Sequence, residues 1–120
     1  MASKKRQDAK NRGQRGEVIA AWLLRIKGYL IVAQSMRNSM GEIDIIAKRR
    51  HIMAFIEVKT RGTLDEALNA VSLTQRQRIE RVAIGFMSGR EDLSNLDMRF
   101  DVIAMLPKKW PCHLPNAWRP

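Results

Sequence analysis

The sequence predicts an α/β domain in which a three-stranded antiparallel meander and a crossover strand share a mixed sheet flanked by helices. Three observations predict it. Tyr29 to Lys59 contains three extended segments with only short links between them, the pattern of a meander. Helical periodicity occurs on both sides of that block, in Arg15 to Lys27 and again up to about Ser88. A last extended stretch, Met98 to Leu106, follows the second helix, so it should return by a crossover and lie parallel to an earlier strand.

Taken in order, residues 1–14 form a basic arm with Lys4, Lys5, Arg6, Lys10 and Arg12 and little apolar matter. It reads as a solubilising tail or as an arm that touches phosphates. Residues 15–120 are a single domain. In its first helix, Val18, Ala21, Trp22 and Ile26 recur at helical spacing and are the expected buried stripe, with Gly28 as the stop. Glu17 lies in the first turn. It reads as an acid favoured by the helix dipole, worth about 0.3–1 kcal/mol, or as one aimed at a cation. Tyr29 to Met36 is the first strand, and Arg37 to Met40 links it to the central ribbon.

That ribbon, Gly41 to Arg61, alternates. Glu42, Asp44 and Ile46 are expected on one face and Ile43, Ile45 and Ala47 on the other. After the link Arg49-Arg50-His51, Phe55, Glu57 and Lys59 oppose Ile56 and Val58. Leu64 to Val71 is a short helical segment, and Ser72 or Thr74 can cap the next helix. That helix buries Ile79, Val82, Ala83 and Phe86 and carries Arg76, Arg78 and Arg81 on its other side. In the last main strand Phe100, Val102 and Ala104 oppose Arg99, Asp101 and Ile103. The tail from Pro107 holds all four prolines with Trp110 and Trp118. It cannot be a regular helix and is expected to fold back and pack tryptophan on the sheet.

The chain has 120 residues, an apolar share of 45% and a net charge of +10. That charge favours polyanions, nucleic acid before anionic membrane. The single cysteine, Cys112, excludes an internal disulfide and fits a reducing compartment. No apolar run reaches the roughly 20 residues of a membrane span, so a cytoplasmic protein without a membrane partner is expected.

An acid in an apolar strand is costly to bury unless it is paired or holds a cation. Asp44 is followed by twelve residues and then Glu57-Val58-Lys59. Strand pairing would therefore gather two carboxylates and an amine. Magnesium takes one or two carboxylates with water and substrate phosphate. Such an ion acidifies bound water and offsets charge on an attacked phosphate, while Lys59 could orient the water or stabilise the developing charge. His51 and His113 lack a second ligand nearby in sequence and read as surface or packing residues. Cys112 reads the same way.

The motifs Gly16-Glu17, Gly41 to Ala47, Phe55 to Arg61 and Arg99-Phe100-Asp101-Val102, with the closing Pro115-Asn116-Ala117-Trp118, resemble the YraN-like family of small bacterial proteins. That family is related by sequence to Holliday-junction resolvases. The resemblance implies a restriction-endonuclease-like fold and the PD-(D/E)xK nuclease superfamily. It carries over Asp44, Glu57 and Lys59 as the catalytic core, and Glu17 joins Asp44 and Glu57 as a ligand of Mg2+ or Mn2+. Ile43 stands where the superfamily often has proline, and Gln75 where family members commonly have lysine. Arg15, Arg61, Gln75, Arg76 and Arg78 are the expected nucleic-acid contacts. The expected activity is metal-dependent hydrolysis of phosphodiester bonds in DNA, structured or branched DNA included. The alternatives are an inactive nucleic-acid-binding module with the same fold and an interaction protein whose acids serve internal salt bridges. Branched DNA would call for two subunits about a two-fold axis, so a homodimer is part of the expectation, with no interface residues assigned.

Overall fold

The meander consists of β1 (Leu30–Asn38), β2 (Gly41–Arg49) and β3 (Ile52–Thr60), each antiparallel to the next. The computed structural model describes residues 15–120, so the arm expected over residues 1–14 lies outside the described residues. A helix over residues 15–26, α1, precedes the meander. Gly28, at φ +91°, ends it, and the Tyr29 N–H returns to the Leu24 carbonyl at 2.9 Å. After β3 come the short α2 (Leu64–Asn69) and the longer α3 (Leu73–Met87). Thr63 caps the first and Ser72 the second by accepting a backbone N–H in the opening turn. β4 (Asp97–Met105) then pairs parallel with β3, the crossover the sequence predicts.

The sheet has a fifth strand. Residues Cys112–Trp118 form β5, antiparallel to β4, so the sheet order is β1-β2-β3-β4-β5. A tail rich in proline can do this because β5 is an edge strand, where a missing N–H is tolerated. The register slips between the pairs Val102↔Leu114 and Phe100↔Trp118, which leaves Pro115 and the left-handed Asn116 (φ +55°) outside the regular ladder. Of the two tail tryptophans, Trp118 is buried and stacks on Phe100 with ring centroids 5.4 Å apart. Its indole N–H donates to Glu80 Oε1 at 3.1 Å. Trp110, expected on the sheet as well, is 90% exposed.

Two cores lie on opposite faces. One holds Ile79, Val82, Ala83 and Phe86 of α3 against Ile43, Ile46, Phe55, Phe100 and Val102. The other holds Ala20, Ala21 and Leu24 of α1 against Ile45, Ala47, Ala54, Ile56 and Ile103. The α3 stripe is the one read from the sequence. The α1 stripe is not: Val18, Trp22 and Ile26 are exposed, and only Ala21 of the expected set is buried. The helix turns small residues inward because it lies close to the sheet. A Cβ on Gly16 would meet Thr60 Oγ1 at 3.4 Å and Met105 Cγ at 3.5 Å.

The strict alternation expected for β2 also fails. Ile43 and Ile46 lie in one core and Ile45 and Ala47 in the other, so the face changes at Asp44. Across the hairpin, the pairs Gln34↔Ile45 and Met36↔Ile43 flank Ser35, whose φ is +51°. A left-handed residue on one strand and the face change on the other are one coupled irregularity. The β2–β3 ladder stops at the same level, its last pair being Ile45↔Ile56.

Trp118→Ala should cost about 3–5 kcal/mol in urea unfolding, the range for deleting a packed core aromatic. Trp110→Ala should change stability by no more than about 0.5 kcal/mol. Equal effects would contradict the assignment of Trp118 alone to the core.

Candidate functional site

Beyond the pair Ile45↔Ile56, side chains replace the missing ladder bonds. Asp44 Oδ2 accepts the Val58 N–H at 2.8 Å, and Glu57 Oε1 accepts the Asp44 N–H at 3.4 Å. Each strand thus satisfies a backbone donor with a carboxylate from its neighbour, as buried donors require. The exchange fixes Asp44 and Glu57 beside one another at the opening between β2 and β3. Glu57 is 3% exposed and Asp44 half-buried.

Glu17 reaches the same place from α1. Its Oε2 accepts the Ser35 hydroxyl at 3.3 Å, and the close packing at Gly16 brings this end of the helix over the C-terminal end of β3. Gln75, in the first turn of α3, contributes from the other side, with Nε2 3.4 Å from Glu57 Oε2. Lys59 is half-buried on β3 and its charge acts on both Asp44 and Glu57. The structure therefore brings together Glu17, Asp44, Glu57, Lys59 and Gln75.

The crowding shows in the acidities. Burial, and then the charge of Asp44, push Glu57 up to about 9, against a partial opposing pull from Lys59. Burial and the same neighbour raise Glu17 to about 7. Asp44 is also raised, because burial outweighs the Val58 N–H, Glu17 and Lys59. The metal-free cluster thus holds protons at neutral pH that free carboxylates would have released. A divalent cation would exchange with those protons. Asp44 and Glu57 are the pair that could hold such a cation, as two carboxylates completed by water and phosphate. No set of three His, Cys, Asp or Glu ligands stands preassembled among the described residues.

The expected nucleic-acid contacts divide. Arg15, Arg61 and Arg78 are exposed, although Arg61 bends back onto the Thr60 carbonyl at 2.7 Å. Arg76 is turned inward. Its Nε donates to the Val71 carbonyl at 3.0 Å and its guanidinium lies over the Trp118 ring. Gln75 faces Glu57 rather than open solvent.

One polar network was not read from the sequence. Asp101 is fully buried and accepts from Arg99 Nε and Nη2, from the Asn116 N–H, and meets His113 Nε2 at 2.8 Å. Burial alone would raise its pKa; the bonds from His113, Arg99 and Asn116 override it and hold the carboxyl below its usual range. The signal available was Arg99-x-Asp101, two residues apart on one strand face. His113, read as a packing or surface residue, is a buried partner of this acid.

Comparison with known proteins places similarity along nearly the whole chain. The model described as Uncharacterised protein family UPF0102 matches residues 16–105. A UPF0102 protein of Chelativorans sp. (strain BNC1) is 45% identical over 113 residues, 94% of this chain and 91% of the relative. A UPF0102 protein of Caulobacter vibrioides is 46% identical over 110 residues, 92% and 88% of the two chains. A third, UPF0102 protein amb4503 of Paramagnetospirillum magneticum, is 42% identical over 121 residues, 98% and 94%.

The raised pKa values fix a pH dependence. Glu57 titrates near 9 in the folded chain against 4.5 for a free glutamate, so the native state keeps a proton that the unfolded chain has lost. Stability from this group is full below pH 4.5 and declines as pH rises toward 9. Without divalent metal, the native protein should lose melting temperature across that window, and Glu57→Gln should flatten the loss and melt higher at its alkaline end. Parallel curves for the two proteins would refute the buried-acid assignment.

Proposed function

The chain belongs to the uncharacterised protein family UPF0102, the YraN-like family its motifs resemble, and on that premise we propose that it is a metal-dependent nuclease hydrolysing phosphodiester bonds in DNA. The observation that carries the reading is the exchange of carboxylate-to-amide bonds that sets Asp44 and Glu57 side by side, with Lys59 on the same strand. This is the residue set of the PD-(D/E)xK superfamily, and a restriction-endonuclease-like fold belongs to the same proposal. It is supported by the antiparallel meander followed by a parallel β4.

Asp44 and Glu57 would hold Mg2+ or Mn2+, with Glu17 at its margin. When bound, the ion supplies an acidified water and positive charge beside the scissile phosphate. The chain's own part is positional. The Val58 N–H keeps one Asp44 oxygen fixed at 2.8 Å. Gln75 and the Asp44 N–H restrain Glu57 in the same way. Lys59 presents an ammonium that can orient the attacking water and stabilise charge developing on phosphate oxygen. The net charge of +10 draws a polyanion to the surface. Arg15, Arg61 and Arg78 are exposed cations for its backbone. DNA in the cytoplasm is the substrate this reading names, branched forms included, with two copies of the chain acting on the branched case.

A second reading is a binding module without cleavage, and one observation favours it. The amide of Gln75, where family members commonly have lysine, is engaged with Glu57 rather than free to meet phosphate.

The test is incubation of labelled duplex, single strand and four-way junction with Mg2+ or Mn2+. Cleavage should occur with metal only, and Lys59→Ala should slow it by about 10²–10⁴-fold, with Asp44→Asn at least as slow. Metal-dependent binding without product in the native protein would replace the nuclease reading by the second one. Binding should also weaken steeply with salt, since each phosphate contact releases counterions. A flat salt response would remove nucleic acid as the ligand.

A further inference from the structure

A second feature lies at the far end of the sheet, on the α1 face. The start of β3 is five residues from Glu57, about 17 Å along the strand. There Tyr29, Arg49, Arg50, His51, Ile52 and Arg99 line a cavity of about 190 Å³. No acid lines it. Arg99 is balanced from beneath by buried Asp101, and His51 lies 4.0 Å from Asp97. Arg49 and Arg50 have no carboxylate within ion-pair distance among the described residues.

Two guanidiniums converge on one ring here. Arg49 lies 5.5 Å and Arg99 5.8 Å from the Tyr29 centroid, and Arg99 also donates to the Tyr29 hydroxyl. The aromatic face offsets part of the repulsion between like charges. Tyr29 itself is 6% exposed and fixed at the end of α1, and the Asp101 bonds hold Arg99 in place. The turn adds a further cation: Arg50 takes φ +55° in a two-residue hairpin link, a position that glycine, asparagine or aspartate usually fills. Arg49 and Arg99 are therefore held by the fold, and exposed Arg50 adds charge at the rim. Planar guanidiniums with spare N–H donors match the oxygens of a phosphate.

We propose that this cavity is a phosphate-binding site, separate from the acid cluster, that takes a phosphate of the nucleic-acid ligand. The identity of the ligand's carrier rests on the nucleic-acid reading above; the affinity for phosphate does not. Bound there, a phosphate would lie beside the start of β3, about 17 Å along the strand from Glu57 or about five base steps at 3.4 Å per step, and would set the register in which a strand meets the acids. The carrier supplies either a backbone phosphodiester or a terminal phosphomonoester.

Tyr29 is the only tyrosine in the chain, so a fluorotyrosine label reports the cavity alone by fluorine NMR. Three probes are titrated without divalent metal: inorganic phosphate, a short single strand, and the same strand with a 5′-phosphate. The native protein and Asp44→Asn should show the same saturable shift with inorganic phosphate. Arg49→Gln/Arg50→Gln should weaken it by about tenfold or more, the scale of losing charge-assisted bonds. If the 5′-phosphate tightens binding and the double variant removes that gain, the ligand is a terminal phosphate. If both strands bind alike and both weaken in the double variant, it is a backbone phosphodiester. Saturable inorganic phosphate with no response to either strand would keep the anion site and overturn its assignment to nucleic acid. No shift with phosphate, or equal affinity in native and double-variant proteins, would overturn the site itself. None of these outcomes depends on cleavage.

Discussion

The structure turns on a break in its own sheet. At Asp44 the β2–β3 ladder ends, and two carboxylates accept the N–H groups that strand pairing leaves unused. A buried amide without a partner is costly, on the order of 1–3 kcal/mol, so the two acids are held where the fold needs them as acceptors. Their proximity then sets the electrostatics. Three acids crowd one opening; burial raises all of them, and the charge of Asp44 adds to the rise in Glu17 and Glu57. Structural need and chemical capacity thus meet in the same side chains.

The surrounding elements serve that opening from several sides. α1 lies close to the sheet through Gly16, Ala20 and Ala21, and brings Glu17 to the acids from one side. α3 begins with Ser72 capping Gln75, which turns its amide toward Glu57 from the other. The parallel β4 flanks β3 over its full length and supports the strand that carries Glu57 and Lys59. At the opposite end, the Asp101 network ties β5 to β4 and anchors Arg99 against Tyr29. One helix therefore connects an acid cluster at its start with a basic cavity just past its end.

Much of this was legible in the residues, and the failures have physical causes. The meander, the crossover and the α3 stripe follow from period two and period 3.6. The α1 stripe did not, because the helix is apolar around much of its circumference. Both Val18-Trp22-Ile26 and Gly16-Ala20-Leu24 keep a spacing of four, and only packing distance chooses the smaller set. The face change at Asp44 was hidden because alternation is a local rule, whereas Ser35 at φ +51° and the carboxylate bonds come from neighbouring segments. β5 was masked by its prolines, which an edge strand with a slipped register can hold. The grouping of Asp44, Glu57 and Lys59 could be read from strand spacing. Glu17 could not be assigned from its own helix; its approach to Ser35 and Asp44 is a tertiary fact.

The central claim is that the opening at Asp44 is built to share a divalent ion between two strands. A crystal soaked in Mn2+ tests it most directly, through anomalous scattering at the metal edge. The account predicts one strong peak within coordination distance of carboxylate oxygens from both Asp44 and Glu57. A saturated crystal with no peak there, or with manganese bound only elsewhere on the surface, would contradict it.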